Sequence, residues 1–286
     1  MSHHTIDVDP TAAIKRAAAL IEQADALVVA AGAGMGVDSG LPDFRGQEGF
    51  WHAYPALGRA RIDFYSIASP SAFEAAPRLA WGFYGHRLGL YRATQPHAGH
   101  ALLRAWGARM LHGLSVFTSN VDGQFQQAGF DPQHIHECHG SLHHLQCLRP
   151  CCEAIWPANA FVPQVDELNC QLLNAPPTCP HCGGLARPNV LMFSDDGWVA
   201  HRSAEQRRRQ EAWLASVTRP VVVELGAGTA VPSVRHFSQR LLHQCGGRLV
   251  RINPREFEVP TRLDVGLPMG AAAGLAAIEQ VLGWTR

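Results

Sequence analysis

The sequence predicts an α/β protein in which a doubly wound parallel sheet carries a smaller and less regular module. Short apolar runs without polar alternation recur along the chain, and such runs are typical of strands buried on both faces of a parallel sheet. Stretches with apolar residues at helical spacing lie between these runs. Because strands that alternate with helices form right-handed βαβ units, we expect helices on both faces of the sheet.

The elements follow in order from the amino terminus. Asp9-Pro10 predicts an N-cap followed by proline in the first helical turn, and apolar residues continue at helical spacing to Ile21. The run Ala26–Ala30 predicts the first strand, which ends in the glycine turn Gly32-Ala33-Gly34. Similar runs predict strands at 115–118, 220–225 and 248–252, and the periodicity between them predicts helices at 99–110 and 233–243.

Two regions interrupt this alternation. Residues 47–87 contain aromatic residues and several prolines but no clear strand, which predicts a mostly helical insert. Residues 144–183 contain clustered cysteines and further prolines with little periodic pattern. Because a segment so poor in regular structure needs a staple to fold, we expect the cysteines to provide one.

Length, charge and hydropathy restrict the class of protein. The 286 residues are enough for one large domain, or for one domain with a smaller module. Lys+Arg and Asp+Glu each number 24, which argues against a broad basic face for nucleic acid. The longest apolar runs are far shorter than the roughly 20 residues of a membrane helix, and the polar start differs from a signal peptide. We expect a soluble, cytoplasmic protein with neither a nucleic-acid nor a membrane partner.

The eight cysteines include two close groups, and clustered cysteines in a reducing compartment more often hold metal than form disulfides. Cys179 and Cys182 form a CxxC knuckle, and Cys147 with either Cys151 or Cys152 supplies a second pair. Cys151 is favoured because the turn that precedes it closes more compactly. Four thiolates suit a tetrahedral structural zinc site, and the alternative is four free thiols.

A longer motif begins at the glycine turn. Gly32-Ala33-Gly34 continues into Gly40-Leu-Pro-Asp-Phe-Arg-Gly46, and the whole stretch resembles the signature of the sirtuin family of NAD-dependent protein deacylases. Further matching blocks follow in the family's order, over most of the chain, at Thr118–Asp122, His139–Ser141, Arg187–Asp195, Gly226–Gly228 and Asn253.

The resemblance implies a role for each matching residue. His139 would be the general base, since imidazole titrates near neutral pH, and Asn120 would support the ribose chemistry. Phe44 would shield the cleaved bond from water, and Arg45 would order its loop on the phosphates. The implied NAD-binding residues are Gly32, Ala33, Gly34, Asp43, Phe44, Arg45, Asn120, Asp122, Gly226, Gly228 and Asn253. The implied reaction transfers an acyl group from protein lysine to ADP-ribose and releases nicotinamide.

Two residues and one loop depart from the family pattern. Gly36 replaces a serine, Ser119 replaces a glutamine, and Gly226-Ala227-Gly228-Thr229 replaces a glycine-threonine-serine loop. These changes leave open ADP-ribosyl transfer or NAD hydrolysis on the same fold. A non-catalytic NAD-sensing module is a further alternative, against which His139 and Asn120 count.

The helical insert also carries candidate residues for the acyl group. Tyr84 and Arg87 lie three residues apart, so on a helix both project from one face and together can bind a carboxylate. This spacing is similar to that of sirtuins that accept succinyl- and malonyl-lysine, and Phe193 falls in the segment that lines the family's acyl-lysine tunnel. The alternative is an amphipathic helix whose Arg87 extends to water. Gly82, Gly85 and Gly89 weaken the prediction of a helix.

These observations predict a discontinuous, Rossmann-like NAD-binding domain over residues 1–46, 88–143 and 184–286. The helical insert 47–87 and the zinc-binding ribbon 144–183 would form the small domain. We expect the cleft between the two to hold NAD and an acyl-lysine.

Overall fold

Strands and helices alternate in the computed structural model, which describes residues 10–42 and 46–285 and, of residues 46–48, only the backbone. The strands are β1 Ala26–Ala31, β2 Leu114–Thr118, β3 Ile135–Glu137, β4 Gly140–Cys147, β5 Ile155–Pro157, β6 Val165–Asp166, β7 Gln171–Leu172, β8 Ala186–Val190, β9 Pro220–Leu225, β10 Arg248–Ile252 and β11 Val265–Leu267. The helices are α1 Pro10–Glu22, α2 Gly34–Val37, α3 Gly46–Ala53, α4 Pro55–Arg59, α5 Phe64–Ile67, α6 Pro70–Ala75, α7 Pro77–Ala93, α8 Gly99–Gly107, α9 Gln124–Gln127, α10 His201–Leu214, α11 Ser233–Cys245 and α12 Ala271–Leu282.

The main sheet is parallel and has the strand order β11-β10-β9-β1-β2-β3. Every residue of β1 is fully buried, as the apolar run predicts. Ala31 pairs with Thr118 on one side and Leu225 on the other, so three strands end at the same level. The chain leaves β1 towards β2 on one side and returns to β9 on the other, and ligands of open α/β sheets bind at such a switch point.

Helices cover both faces of this sheet. On one face α1, α8 and α12 pack Ile21, Trp106 and Ile278 against the alternate β1 residues Leu27 and Val29. On the other face α11 packs against the sheet, and the rings of Phe117 and Phe237 stack with their centroids 4.0 Å apart. The doubly wound α/β fold is therefore confirmed.

The small module combines the helices α3–α7 with an antiparallel sheet of order β5-β4-β8 and the hairpin β6–β7. A separate apolar core joins these elements and includes Phe73, Trp81, Phe83 and Leu142. Helix α7 runs without interruption past residue 87, where the sequence places a domain boundary. The division into two domains stays a prediction.

Helix α7 forms despite its glycines because another segment packs directly on its backbone. A Cβ on Gly82 would lie 2.1 Å from the carbonyl oxygen of Cys170, and one on Gly85 would lie 2.8 Å from Cβ of Pro163. The close approach of residues 163–172 requires these glycines and offsets their low helix propensity.

Some elements differ from the sequence prediction. The helix predicted at 99–110 ends at Gly107, and the short strands β3 and β11 were not predicted. Asp9, predicted to cap α1, lies outside the described residues. Within the described ranges, none of the helices has both the length and the apolar character that crossing a membrane requires.

Candidate active site and metal centre

A cavity of about 680 Å³ opens at the carboxyl ends of β1, β2 and β9 and extends towards α7. It brings together most of the residues that the sequence singles out. Those that line it are Gly32, Ala33, Gly34, Tyr84, Arg87, Asn120, Asp122, His139, Phe193, Gly226 and Gly228.

The glycine loops after β1 and β9 meet backbone to backbone at one end of the cavity. Gly226 has φ +58°, and a Cβ there would lie 2.3 Å from the carbonyl carbon of Gly34. A Cβ on Gly32 would lie 2.8 Å from Cα of Ala227. Side chains are thereby excluded here, and the backbone N–H groups of Gly32 and Gly34 donate to the carbonyls of Leu225 and Gly226. The two loops therefore present backbone rather than side chains at the ends of two strands, the arrangement that suits a dinucleotide.

His139 lines the same cavity as these loops. Its Nε2 is 3.0 Å from Oγ of Ser233, the first residue of α11. Burial lowers the pKa of His139 below its usual value, and a hydrogen bond with the backbone of Ser119 partly opposes this shift. The imidazole is therefore neutral near pH 7 and can accept a proton.

Asn120 and Asp122 follow the end of β2. The side-chain amide of Asn120 donates to the carbonyl of Gly32 at 3.0 Å, which ties this segment to the first glycine loop. The Asp122 carboxylate accepts from the backbone N–H of Gln124 at 2.9 Å, and burial raises its pKa to about 6.

The remaining predicted NAD-binding residues are placed differently. Asn253 does not line the cavity: its side-chain amide donates to the carbonyl of Ala227 at 2.9 Å and so supports the second glycine loop from behind. Asp43, Phe44 and Arg45 lie outside the described residues.

Helix α7 contributes several side chains to the wall of the cavity. Tyr84 and Arg87 are both buried and line the cavity, so the alternative in which Arg87 extends to water is wrong. Phe193 also lines the cavity, with its ring centroid 4.4 Å from that of Tyr65. Tyr91 also lines the cavity and was not among the predicted residues; its spacing of four residues from Arg87 indicates only that the two share a helix face.

A buried ion pair fixes the loop that carries Phe193. The guanidinium of Arg187 donates to both oxygens of Asp195, each at 2.7 Å, and both side chains are fully buried. Asp195 also accepts from the backbone N–H of Met192 at 3.1 Å. Bidentate geometry of this kind holds a loop in one conformation.

The two cysteine groups meet at one end of β4. The Sγ atoms of Cys147, Cys151, Cys179 and Cys182 all lie within 4.8 Å of one another. The distances from Cys147 to Cys182 and from Cys151 to Cys179 are both 3.7 Å. A tetrahedral zinc ion with Zn–S bonds of about 2.3 Å places its sulfurs about 3.8 Å apart, so the four thiols fit a structural zinc. Cys152 is not one of the four.

Comparison with known proteins adds to this geometry. The model of the Sir2 family matches residues 32–218, which is well over half of the chain. The chain belongs to the Sir2 family. This Sir2-family chain is 27% identical over 272 residues to the NAD-dependent protein deacylase of Aeropyrum pernix, covering 95% of this chain and 98% of the relative.

Two further comparisons agree. NAD-dependent protein deacylase 2 of Corynebacterium efficiens is 30% identical over 274 residues, which cover 94% of this Sir2-family chain and 98% of the relative. A Sir2 homologue solved as a complex with NAD aligns with a TM-score of 0.70 at 24% identity and covers 93% of both chains. The second comparison concerns the fold alone.

Proposed function

We propose that this Sir2-family chain is an NAD-dependent protein-lysine deacylase. The observation that carries the proposal is that one cavity holds a neutral, half-buried imidazole, two glycine loops that exclude side chains, and an acyl end lined by Tyr84 and Arg87. A protein that only sensed NAD would need the loops but no base.

Different residues would bind NAD, orient the ribose and accept the proton in this reaction. Backbone groups at Gly32–Gly34 and Gly226–Gly228 would bind the phosphates, with Asn253 holding the second loop in place. When bound, NAD⁺ would supply an electrophilic ribose carbon for the acyl oxygen, with nicotinamide as the leaving group. His139 would accept the proton released by the ribose hydroxyl, while Asn120 and Asp122 orient the ribose end.

Incubating the purified chain with NAD and a mixed library of acyl-lysine peptides tests this function. Mass spectrometry should find O-acyl-ADP-ribose, nicotinamide and free lysine peptide in equal amounts. ADP-ribosylated protein, or free ADP-ribose without loss of the acyl group, would instead show ADP-ribosyl transfer or NAD hydrolysis.

We further propose that the acyl end favours a negatively charged acyl group. Arg87→Met deletes the guanidinium and keeps an apolar stem, so we expect the ratio of kcat/KM for succinyl-lysine over acetyl-lysine to invert. Both substrates should be compared on one peptide at saturating NAD. Equal rates before mutation, or a preference that Arg87→Met leaves unchanged, would contradict the role of Tyr84 and Arg87.

The shifted pKa of His139 predicts a pH dependence. Because burial lowers this pKa, the imidazole stays neutral to a lower pH than an exposed histidine, and activity should fall only below about pH 6.5. Asp122 lines the same cavity and has a pKa of about 6, so a pH–rate profile alone would not distinguish its titration from that of His139. An NMR titration of the His139 ring should give a midpoint below 6.5, and a midpoint above it would contradict the prediction.

Three further assignments accompany the function. The partners would be acyl-lysine proteins rather than nucleic acid, in keeping with the balanced charge. Location in the cytoplasm is supported by the four clustered thiols, which a reducing compartment keeps available for zinc. The two predicted domains would correspond to the parallel sheet and to the module that carries α7 and the cysteines.

A further inference from the structure

Tyr91 is a cavity residue to which the motifs and the proposed reaction assign no role. It lies on α7, four residues after Arg87 and seven after Tyr84, so the three side chains share one face of the helix. Its side chain is buried and lines the same cavity as the other two.

The hydroxyl of Tyr91 contacts Arg87 twice. Nε of Arg87 donates to the Tyr91 oxygen at 3.0 Å, and Nη2 donates to the same oxygen at 2.6 Å. These two nitrogens form the side edge of the guanidinium. Because one oxygen takes both donors, Tyr91 holds the side edge of the guanidinium towards itself and directs Nη1 away from it.

The hydrogen bonds with Tyr91 stabilise the positive charge of the buried Arg87 guanidinium. A guanidinium stays protonated in proteins, and burying a charge is costly unless hydrogen bonds compensate. Burial opposes the charge on Arg87, but contacts with nearby phenols, first of all Tyr91, raise its pKa above the ordinary value. Tyr91 therefore stabilises a cation inside the cavity.

We propose that Tyr91 is a positioning residue for acyl selectivity, which holds the Arg87 guanidinium so that its Nη1–Nη2 edge binds the distal carboxylate of a dicarboxylic acyl-lysine. The inference rests on the proposed function, because the acyl group must reach Arg87. Bidentate binding requires the carboxylate and the guanidinium to share a plane, so the side-edge contact with Tyr91 sets the direction of approach.

Tyr91→Phe removes the hydroxyl and keeps the ring. We expect kcat/KM for a succinyl-lysine peptide to fall about tenfold, mainly through KM, while the value for the acetyl-lysine peptide changes less than about twofold. Thr94→Val is the control, since it removes a hydroxyl at the end of the same helix that donates to the carbonyl of Leu90 at 2.8 Å and does not line the cavity. It should leave the ratio of the two substrates unchanged.

A double-mutant cycle separates positioning from a general packing effect. In the Arg87→Met background, Tyr91→Phe should cause no further loss on the succinyl peptide, because the group that it positions is gone. Thermal unfolding of each variant should show that all four chains are folded at the assay temperature.

The outcomes are distinct. Equal losses on both substrates, or an undiminished effect of Tyr91→Phe in the Arg87→Met background, would overturn the positioning role. A succinyl preference that depends on Arg87 and survives Tyr91→Phe would overturn this inference and leave the proposed function standing. A chain that deacylates without any succinyl preference would overturn the acyl assignment and the inference together, while failure to form O-acyl-ADP-ribose would overturn the deacylase proposal.

Discussion

His139→Ala is expected to reduce acyl transfer by about 10²–10⁴-fold, the usual contribution of a general base. The imidazole is half-buried, neutral near pH 7, and lines the same cavity as both glycine loops. Alanine removes the proton acceptor and leaves those loops intact. Turnover should be measured as O-acyl-ADP-ribose formed per chain, together with the far-UV spectrum and the affinity for NAD, which we expect to stay close to those of the unmutated chain.

His134→Ala is the matched control for this prediction, because His134 is exposed and does not line the cavity. It should retain full turnover. A loss below tenfold for His139→Ala would contradict its assignment as the base.

Asn120→Ala should also lower turnover strongly, since its amide joins the end of β2 to the first glycine loop.

Cys179→Ser is expected to abolish zinc binding and unfold the small module. Cys179 is buried, and its Sγ lies 3.7 Å from that of Cys151. Structural zinc contributes about 10–16 kcal/mol to the folding of zinc-finger peptides, which equals or exceeds the roughly 5–15 kcal/mol that holds a whole domain folded. The thermal transition should therefore fall markedly or be lost.

Elemental analysis of the freshly purified chain should give one zinc per chain, and Cys179→Ser should give none. Cys152→Ser is the control, because Cys152 adjoins the four-thiol cluster without belonging to it. It should keep both the metal and the transition temperature. A metal-free chain of unchanged stability would contradict the zinc site.

Strands were predictable from the sequence where apolar side chains are buried on both of their faces. The fully buried β1 is a continuous apolar run, and β9 is apolar except for Glu224, which pairs with Arg251. Both strands were predicted within one residue. Strand β3 was missed because His136 and Glu137 are buried through polar contacts with α10, including a hydrogen bond from His136 to Gln210 at 3.0 Å. Such partners are distant in sequence, so the local pattern shows no apolar run.

The residues of the cavity were also predictable only in part. Motifs located Asn120, His139 and the glycine loops, because each of these requires a particular residue type at a fixed distance from a strand end. They could not separate a residue that lines the cavity from one that supports it, as Asn253 does through the carbonyl of Ala227. Tyr91 was missed because its importance depends on the conformation of Arg87, which no spacing specifies.

The pairing of β1 with β9 has a consequence for synthesis on the ribosome. Once β2 has been made, one edge of β1 can be paired, but its other edge must wait for residue 225. At about 5–20 residues per second, the intervening hundred or so residues take roughly 5–20 s, during which a wholly apolar strand has an open edge. Open edges of this kind recruit other chains. Nascent chains that stall before residue 220 are therefore the form of this protein most exposed to aggregation, and the one that would depend most on chaperones.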